Sequence, residues 1–170
     1  MRVFHLAPDL FVELEGVPET LPAQGFVWIG SARREFEVRA PELQIALQRW
    51  GIAPVVDLHV SDLLNHQLPS HFDYTSWYDL MVFRRLAAAP GSSDLFVDDA
   101  HGTLASAMKA MRSIDTSPVG FVVFDRVLIT VHPTDCAVRE YFAQRLAGAG
   151  ARLPASPADL MLRMVNHMVD

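Results

Sequence analysis

Along this chain short unbroken apolar runs take turns with apolar stripes of helical period, the rhythm of an α/β domain. Phe26-Val27-Trp28-Ile29, entered through Pro22 and Gly25, is β-prone and wholly apolar and predicts a buried strand. Pro41 suits a first helical turn. Leu43, Ala46, Leu47 and Trp50 follow at helical spacing, and Gly51 stops the helix. Residues 55–65 form a second helical candidate. In the stretch 69–88, Phe72 and Tyr74 share one face of an extended segment, and Tyr78-Asp79-Leu80-Met81-Val82-Phe83 continues as a strand. Residues 89–94 carry the Pro-Gly-Ser chemistry of a loop. Leu104, Ala107, Met108 and Met111 predict a short helix, and 115–118 a turn.

Val119-Gly120-Phe121-Val122-Val123-Phe124 and Val127-Leu128-Ile129-Thr130-Val131 are separated only by Asp125-Arg126, the layout of a β-hairpin buried on both faces. Thr134-Asp135 offers caps for a helix with Val138, Tyr141, Phe142 and Leu146 on one side, ended by Gly148 and Gly150. Ser156 as cap, Pro157 at the first position and Asp159 at the positive end open a last helix. Its stripe is Leu160, Met161, Met164, Val165 and Met168, widened by Leu162 and Val169. It reaches Asp170 with no Gly or Pro terminator. It therefore reads as the top of a longer stalk, its stripe meant for neighbouring subunits, in a sequence cut from a longer protein.

Composition narrows the picture. A chain of 170 residues, 51% hydrophobic and 20% charged, is the size of one self-sufficient domain. Its formal charge of −6 argues against nucleic acid as a partner, since phosphate binding needs clustered Lys and Arg. Cys136 is the only cysteine, so an internal disulfide cannot form, and a reducing compartment is expected. The start has no signal-peptide stretch, and no segment reaches the ~20 apolar residues of a membrane span. The chain as given reads as soluble.

No catalytic constellation emerges: neither a nucleophile elbow nor a phosphate-binding loop is present. Gly148-Ala149-Gly150 opens like a dinucleotide fingerprint but lacks the third glycine and a preceding strand. Cys136 reads as a small core residue. Asp57, His59, Asp62 and His66 sit close together, and on one helix His59, Asp62 and His66 at i, i+3 and i+7 share a face. There a carboxylate and two imidazoles could meet a divalent ion; the bland alternative is a solvated helix edge. Asp62 joined by a carboxylate of another chain would suit Mg²⁺. His71, His101 and His167 are isolated.

Several segments, in order, resemble the cytosolic N-terminal domain of the CorA family of divalent-cation transporters, with its zinc-transporting ZntB relatives. Phe26-Val27-Trp28-Ile29 is similar to the family's Trp-Ile strand. Ser61-Asp62-Leu63-Leu64-Asn65-His66-Gln67-Leu68-Pro69 resembles its Glu-Asp-x-Leu-Asn helix end and Gln-x-Pro. Asp73-Tyr74 and the strand from Tyr78 into Arg84-Arg85-Leu86 resemble its tyrosine-led strand. Val127-Leu128-Ile129-Thr130-Val131-His132 is similar to the strand closing in Thr-Val-His, and Asp159-Leu160-Met161-Leu162 to the Asp-Tyr-Leu-Leu helix before the stalk. The resemblance covers residues 26–170. Gly30, Ser61, Arg85 and Asn166 depart from it.

The resemblance implies a single-domain α/β/α sandwich with a mixed, largely antiparallel sheet, without enzymatic activity. It implies a metal-sensing regulatory domain at the cytoplasmic face of the inner membrane. Transmembrane helices and most of the stalk would lie beyond residue 170, and identical subunits would assemble as a homopentamer in the full-length protein. The cation would be Mg²⁺ first, with Zn²⁺, Co²⁺ or Ni²⁺ admitted by the histidines. Asp62 matches a boundary carboxylate best; Asp170 stands near a second, and His59 and His66 complete the candidate ligands. The competing class is a stand-alone interaction domain of the same fold that has lost ion gating.

Overall fold

The computed structural model describes residues 1–88, 114–134 and 136–169. Within them a seven-stranded sheet runs in the order β2-β1-β3-β7-β6-β5-β4. Its strands are β1 (Arg2–Ala7), β2 (Leu10–Leu14), β3 (Phe26–Ala32), β4 (His71–Tyr74), β5 (Asp79–Ala88), β6 (Ile114–Val123) and β7 (Val127–His132). Every pairing is antiparallel except β3 with β7, where Val27 meets Val127 and Ala32 meets His132. The helices are α1 (Arg33–Arg49), α2 (Asp57–Leu64), α3 (Val138–Ala147) and α4 (Pro157–Val169). This is the expected mixed α/β sandwich.

The central strands are buried on both faces, which is why β3 and β7 carry hardly a polar residue. On one side Val27, Ile29, Ile129 and Val131 pack against Phe36, Leu43 and Leu47 of α1 and Leu63 of α2. On the other, Trp28, Phe121 and Leu128 pack against Phe142 and Leu146 of α3 and Leu160 and Met164 of α4. The indole N–H of Trp28 donates to Thr130 Oγ1 at 3.0 Å, so its one polar atom is not left bare in the core.

Several elements differ from expectation. The hairpin β1–β2 was not foreseen, although its first strand buries Val3, Phe4 and Leu6. Helix α1 begins at Arg33 and encloses Pro41. Its earlier start is set by Phe36, buried on the sheet, and by Glu35, whose carboxylate accepts the Ala32 N–H at 2.8 Å. It stops where expected: Gly51 takes φ +79°, with Gly51 N–H donating to Gln48 O and Ile52 N–H to Leu47 O, a Schellman ending. Residues 115–118 are strand, not turn. Pro118 is tolerated because it pairs with Arg84 of β5 before β6 meets β7, which begins at the Gly120–Val131 pair. The Asp125-Arg126 hairpin formed as read, closed by Phe124 N–H to Val127 O at 2.9 Å. The helix expected from Leu104 to Met111 lies outside the described residues, as does Asp135; the cap of α3 is Ala137.

The last helix requires a correction. Ser156 and Asp159 cap it as expected, Ser156 Oγ accepting the Asp159 N–H at 3.1 Å and Asp159 the Ala155 N–H at 2.9 Å. The centre of its stripe is taken up by this chain itself. Leu160 and Met164 are sealed into this chain's own core, with Met161, Val165 and Met168 packed beside them. Only the flank, Leu162 and Val169, is exposed. Together with α3, the stripe covers the sheet's second face.

Candidate functional site

The polar residues singled out around α2 converge on the β4–β5 edge of the sheet, though not in the pattern their spacing suggested. Helix α2 ends at Leu64, with Asn65 as its cap, so His66 falls in the following turn and does not share a helical face with His59 and Asp62. His66 is exposed, and its carbonyl accepts a bond from Arg84 of β5 at 3.1 Å. Asp170 lies outside the described residues. Asp57 is exposed at the first turn of α2.

His59 points inward. It is 3% exposed, with Nδ1 2.6 Å from Tyr78 Oη and Nε2 2.8 Å from Asp73 Oδ2. With the proton on Nε2, the ring donates to the Asp73 carboxylate and accepts from the Tyr78 hydroxyl. The Tyr78 oxygen in turn accepts the Val56 N–H at 3.1 Å. Both ring nitrogens are therefore spent, and a metal could reach His59 only by breaking one of these bonds. The hydrogen bond from His59, aided by the Tyr74 N–H, holds the Asp73 carboxyl below the ordinary carboxylate range. Burial pushes the Tyr78 hydroxyl up, so it stays protonated and serves as a strut. The chain Val56–Tyr78–His59–Asp73 fixes the start of α2 to β4 and β5. Gln44 fixes the approach to it, its amide giving to Val55 O at 2.6 Å and receiving from Val55 N–H at 2.8 Å.

Asp62 keeps its freedom. Its carboxylate lies 3.5 Å from His71 Nε2, and the two side chains are 18% and 31% exposed. Strand alternation explains the pairing: His71 and Asp73 face α2, while Phe72 and Tyr74 face away. That alternation was the signal available in the sequence for adding Asp73 and His71 to the cluster. Among the described residues no three His, Cys, Asp or Glu side chains form a group that could hold a metal ion by themselves.

A second polar cluster sits where β3 and β7 end side by side. Helices α1 and α3 leave these parallel strands for opposite faces, the arrangement that opens a crevice in many α/β folds. Here the protein's own charges fill it. Arg139 donates to Gly30 O at 3.0 Å, to Glu35 at 3.1 Å and to Glu140 at 2.7 Å, and the N-terminal ammonium also bonds Glu35. Burial works to raise the Glu35 carboxyl, but the bonds from that ammonium, the Ala32 N–H and Arg139 overcome it and hold it at about 2. Burial pushes His132 down; its Nδ1 lies 2.8 Å from Pro133 O and its buried Nε2 has no partner among the described residues.

Among the described residues an open seven-stranded sheet with one parallel pair carries two helices on each face, and this is the fold of the cytoplasmic domain of CorA-type transporters. Among solved structures the chain is similar to full-length CmaX, at 13% identity and a TM-score of 0.65, covering 100% of this chain and 45% of that one. It is similar to the ZntB cytoplasmic domain from Vibrio parahaemolyticus, at 14% identity and a TM-score of 0.63, covering 99% and 57%. The complete CorA magnesium transporter from Methanocaldococcus jannaschii matches at 11% identity and a TM-score of 0.64, covering 98% and 43%. The chain thus spans about half the length of the solved chains it matches. No protein-family profile and no curated protein matches it. Among the described residues no helix is long and apolar enough to cross a membrane.

Proposed function

We propose that this chain is the metal-sensing regulatory domain of a CorA-like divalent-cation transporter, with Mg²⁺ as the first candidate ion. The observation that carries the reading is the match of the whole chain, not of a fragment, to cytoplasmic portions of proteins of that kind. Asp62 is the residue through which sensing would run. It is fixed on a pinned helix, partly open to solvent, and among the described residues paired with a weakly held imidazole. A hard cation needs several oxygens, and one carboxylate supplies too few. The missing ligands would come from an identical neighbour, in a homopentamer on the cytoplasmic face of the inner membrane, anchored by helices that follow this domain. His71 beside Asp62 also suits Zn²⁺, Co²⁺ or Ni²⁺. His66, in the turn after α2, and Asp170 remain candidate outer ligands of that shared site.

The parent reading frame and a titration together test this. Two ~20-residue apolar runs should follow the domain, the first ending in Gly-Met-Asn. Mg²⁺ or Zn²⁺ added to the full-length protein should protect it from proteolysis, and Asp62→Ala should weaken that protection. Unchanged protection in the variant would remove Asp62 from the account; a frame without apolar runs would remove the transporter. One observation favours a second reading, a stand-alone interaction domain of this fold. The α4 stripe is already satisfied by the chain's own sheet and asks for no stalk neighbour.

A further inference from the structure

Between α3 and α4 lies a basic hollow on an acidic protein. The cavity, about 600 Å³, is lined by Tyr141 and Arg145 of α3, Arg152 of the connecting loop, and Arg163, Asn166 and His167 of α4. Three guanidiniums share one depression although the chain as a whole carries −6. Arg163 is held in place by the carbonyls of Arg152 at 2.5 Å and Leu153 at 3.4 Å, and by Asp159 at 3.2 Å. Arg145 donates to Tyr141 Oη at 3.1 Å and stands 6.0 Å from that ring's centroid. Arg152 is exposed, and among the described residues its side chain makes no hydrogen bond.

Beside these charges the Tyr141 and His167 rings are stacked, centroids 4.1 Å apart and planes 14° from parallel. The floor is the loop containing Gly148 and Gly150. The carbonyl end of α3 opposes an anion with about half a charge, which three arginines outweigh. Among the described residues Asp159 is the carboxylate that meets them: it pairs with Arg163 and also feels the charge of Arg152, so it offsets only part of the basic lining.

We propose that this hollow binds a nucleoside polyphosphate, its phosphates on Arg145, Arg152 and Arg163 and its base extending the Tyr141–His167 stack. A row of guanidiniums matches a chain of phosphates better than a single one, because each planar fork engages a separate pair of oxygens. Paired aromatic rings add a sequence-tolerant surface for a base. The volume falls within the usual range of small-ligand sites. Neither a metal ion nor a neighbouring subunit enters the argument, so it stands apart from the transporter reading.

Calorimetric titration of the chain with ATP, pyrophosphate and inorganic phosphate, in EDTA and at low salt, tests it. ATP should bind, and more tightly than pyrophosphate. Arg145→Ala and Arg152→Ala, both at exposed positions that leave the fold intact, should each weaken ATP about tenfold. His167→Ala should weaken ATP while leaving pyrophosphate unchanged. No heat with millimolar ATP, binding indifferent to both arginine variants, or pyrophosphate binding as tightly as ATP would each overturn the proposal.

Discussion

Helix α2 lies close on the sheet because position 120 has no side chain. A Cβ built on Gly120 would sit 2.4 Å from Leu63 Cδ2, and Leu63 is 4% exposed. Gly120 does not have a positive φ, so alanine meets no backbone strain there. Two effects of opposite sign therefore compete in Gly120→Ala. Stiffening the unfolded chain would stabilise the protein by about 0.4–1 kcal/mol. Displacing Leu63 inside a packed core would cost about 1–3 kcal/mol. The second should win, leaving the variant about 1–2 kcal/mol less stable. Leu63→Ala alone should cost about 2–5 kcal/mol through the cavity it leaves. In that background the contact is gone, so Gly120→Ala should turn mildly stabilising, and the double variant should be more stable than Leu63→Ala. Urea unfolding at 25 °C, followed by tryptophan fluorescence, measures all three. A coupling of about 2 kcal/mol is expected; additivity within roughly 0.5 kcal/mol would refute the packing argument.

Two further outcomes follow from the hydrogen-bonded groups. Tyr78→Phe strips the hydroxyl that serves both Val56 N–H and His59 Nδ1, and should cost about 1–3 kcal/mol. A thermal melt unchanged from the parent would mean that α2 is not held by this strut. Glu35 is depressed from 4.5 to about 2 in the folded chain, so its contribution is fully present above pH 4.5 and is lost as pH falls towards 2. Glu35→Gln should flatten that stretch of the stability curve; an acid limb of the same steepness between pH 5 and 2 would contradict the assignment.

Most of the layering was legible because it depends on local pattern. The Trp28 strand, the Asp125-Arg126 hairpin and the Ser156-Pro157-Asp159 helix start each announce themselves within a few residues. The ends of elements were harder. Nothing local says that Arg33 opens a helix running through Pro41; that start rests on Glu35 and on Phe36 finding the sheet. The shared helical face of the candidate site was misjudged in the same way. A helical face joining His59, Asp62 and His66 assumes that α2 continues past Leu64. What organises the cluster instead is a strand arriving from the other side, where His71 and Asp73 are presented by the alternation of β4. Long-range partners leave no trace in spacing. His59 looked like a ligand because its partner Tyr78 is 19 residues away.

The single parallel pairing at the middle of the sheet also shapes how the molecule is born. Val27 docks against Val127, so β3 waits for about a hundred residues of synthesis before its central neighbour exists. At ribosomal rates that delay is roughly 5–20 s. During it Trp28 and Ile29 have the β1 hairpin on one edge and nothing on the other. The sheet's centre cannot close before β7 is made, and whatever shields that open edge in the meantime bears on how much of the chain arrives at its native state.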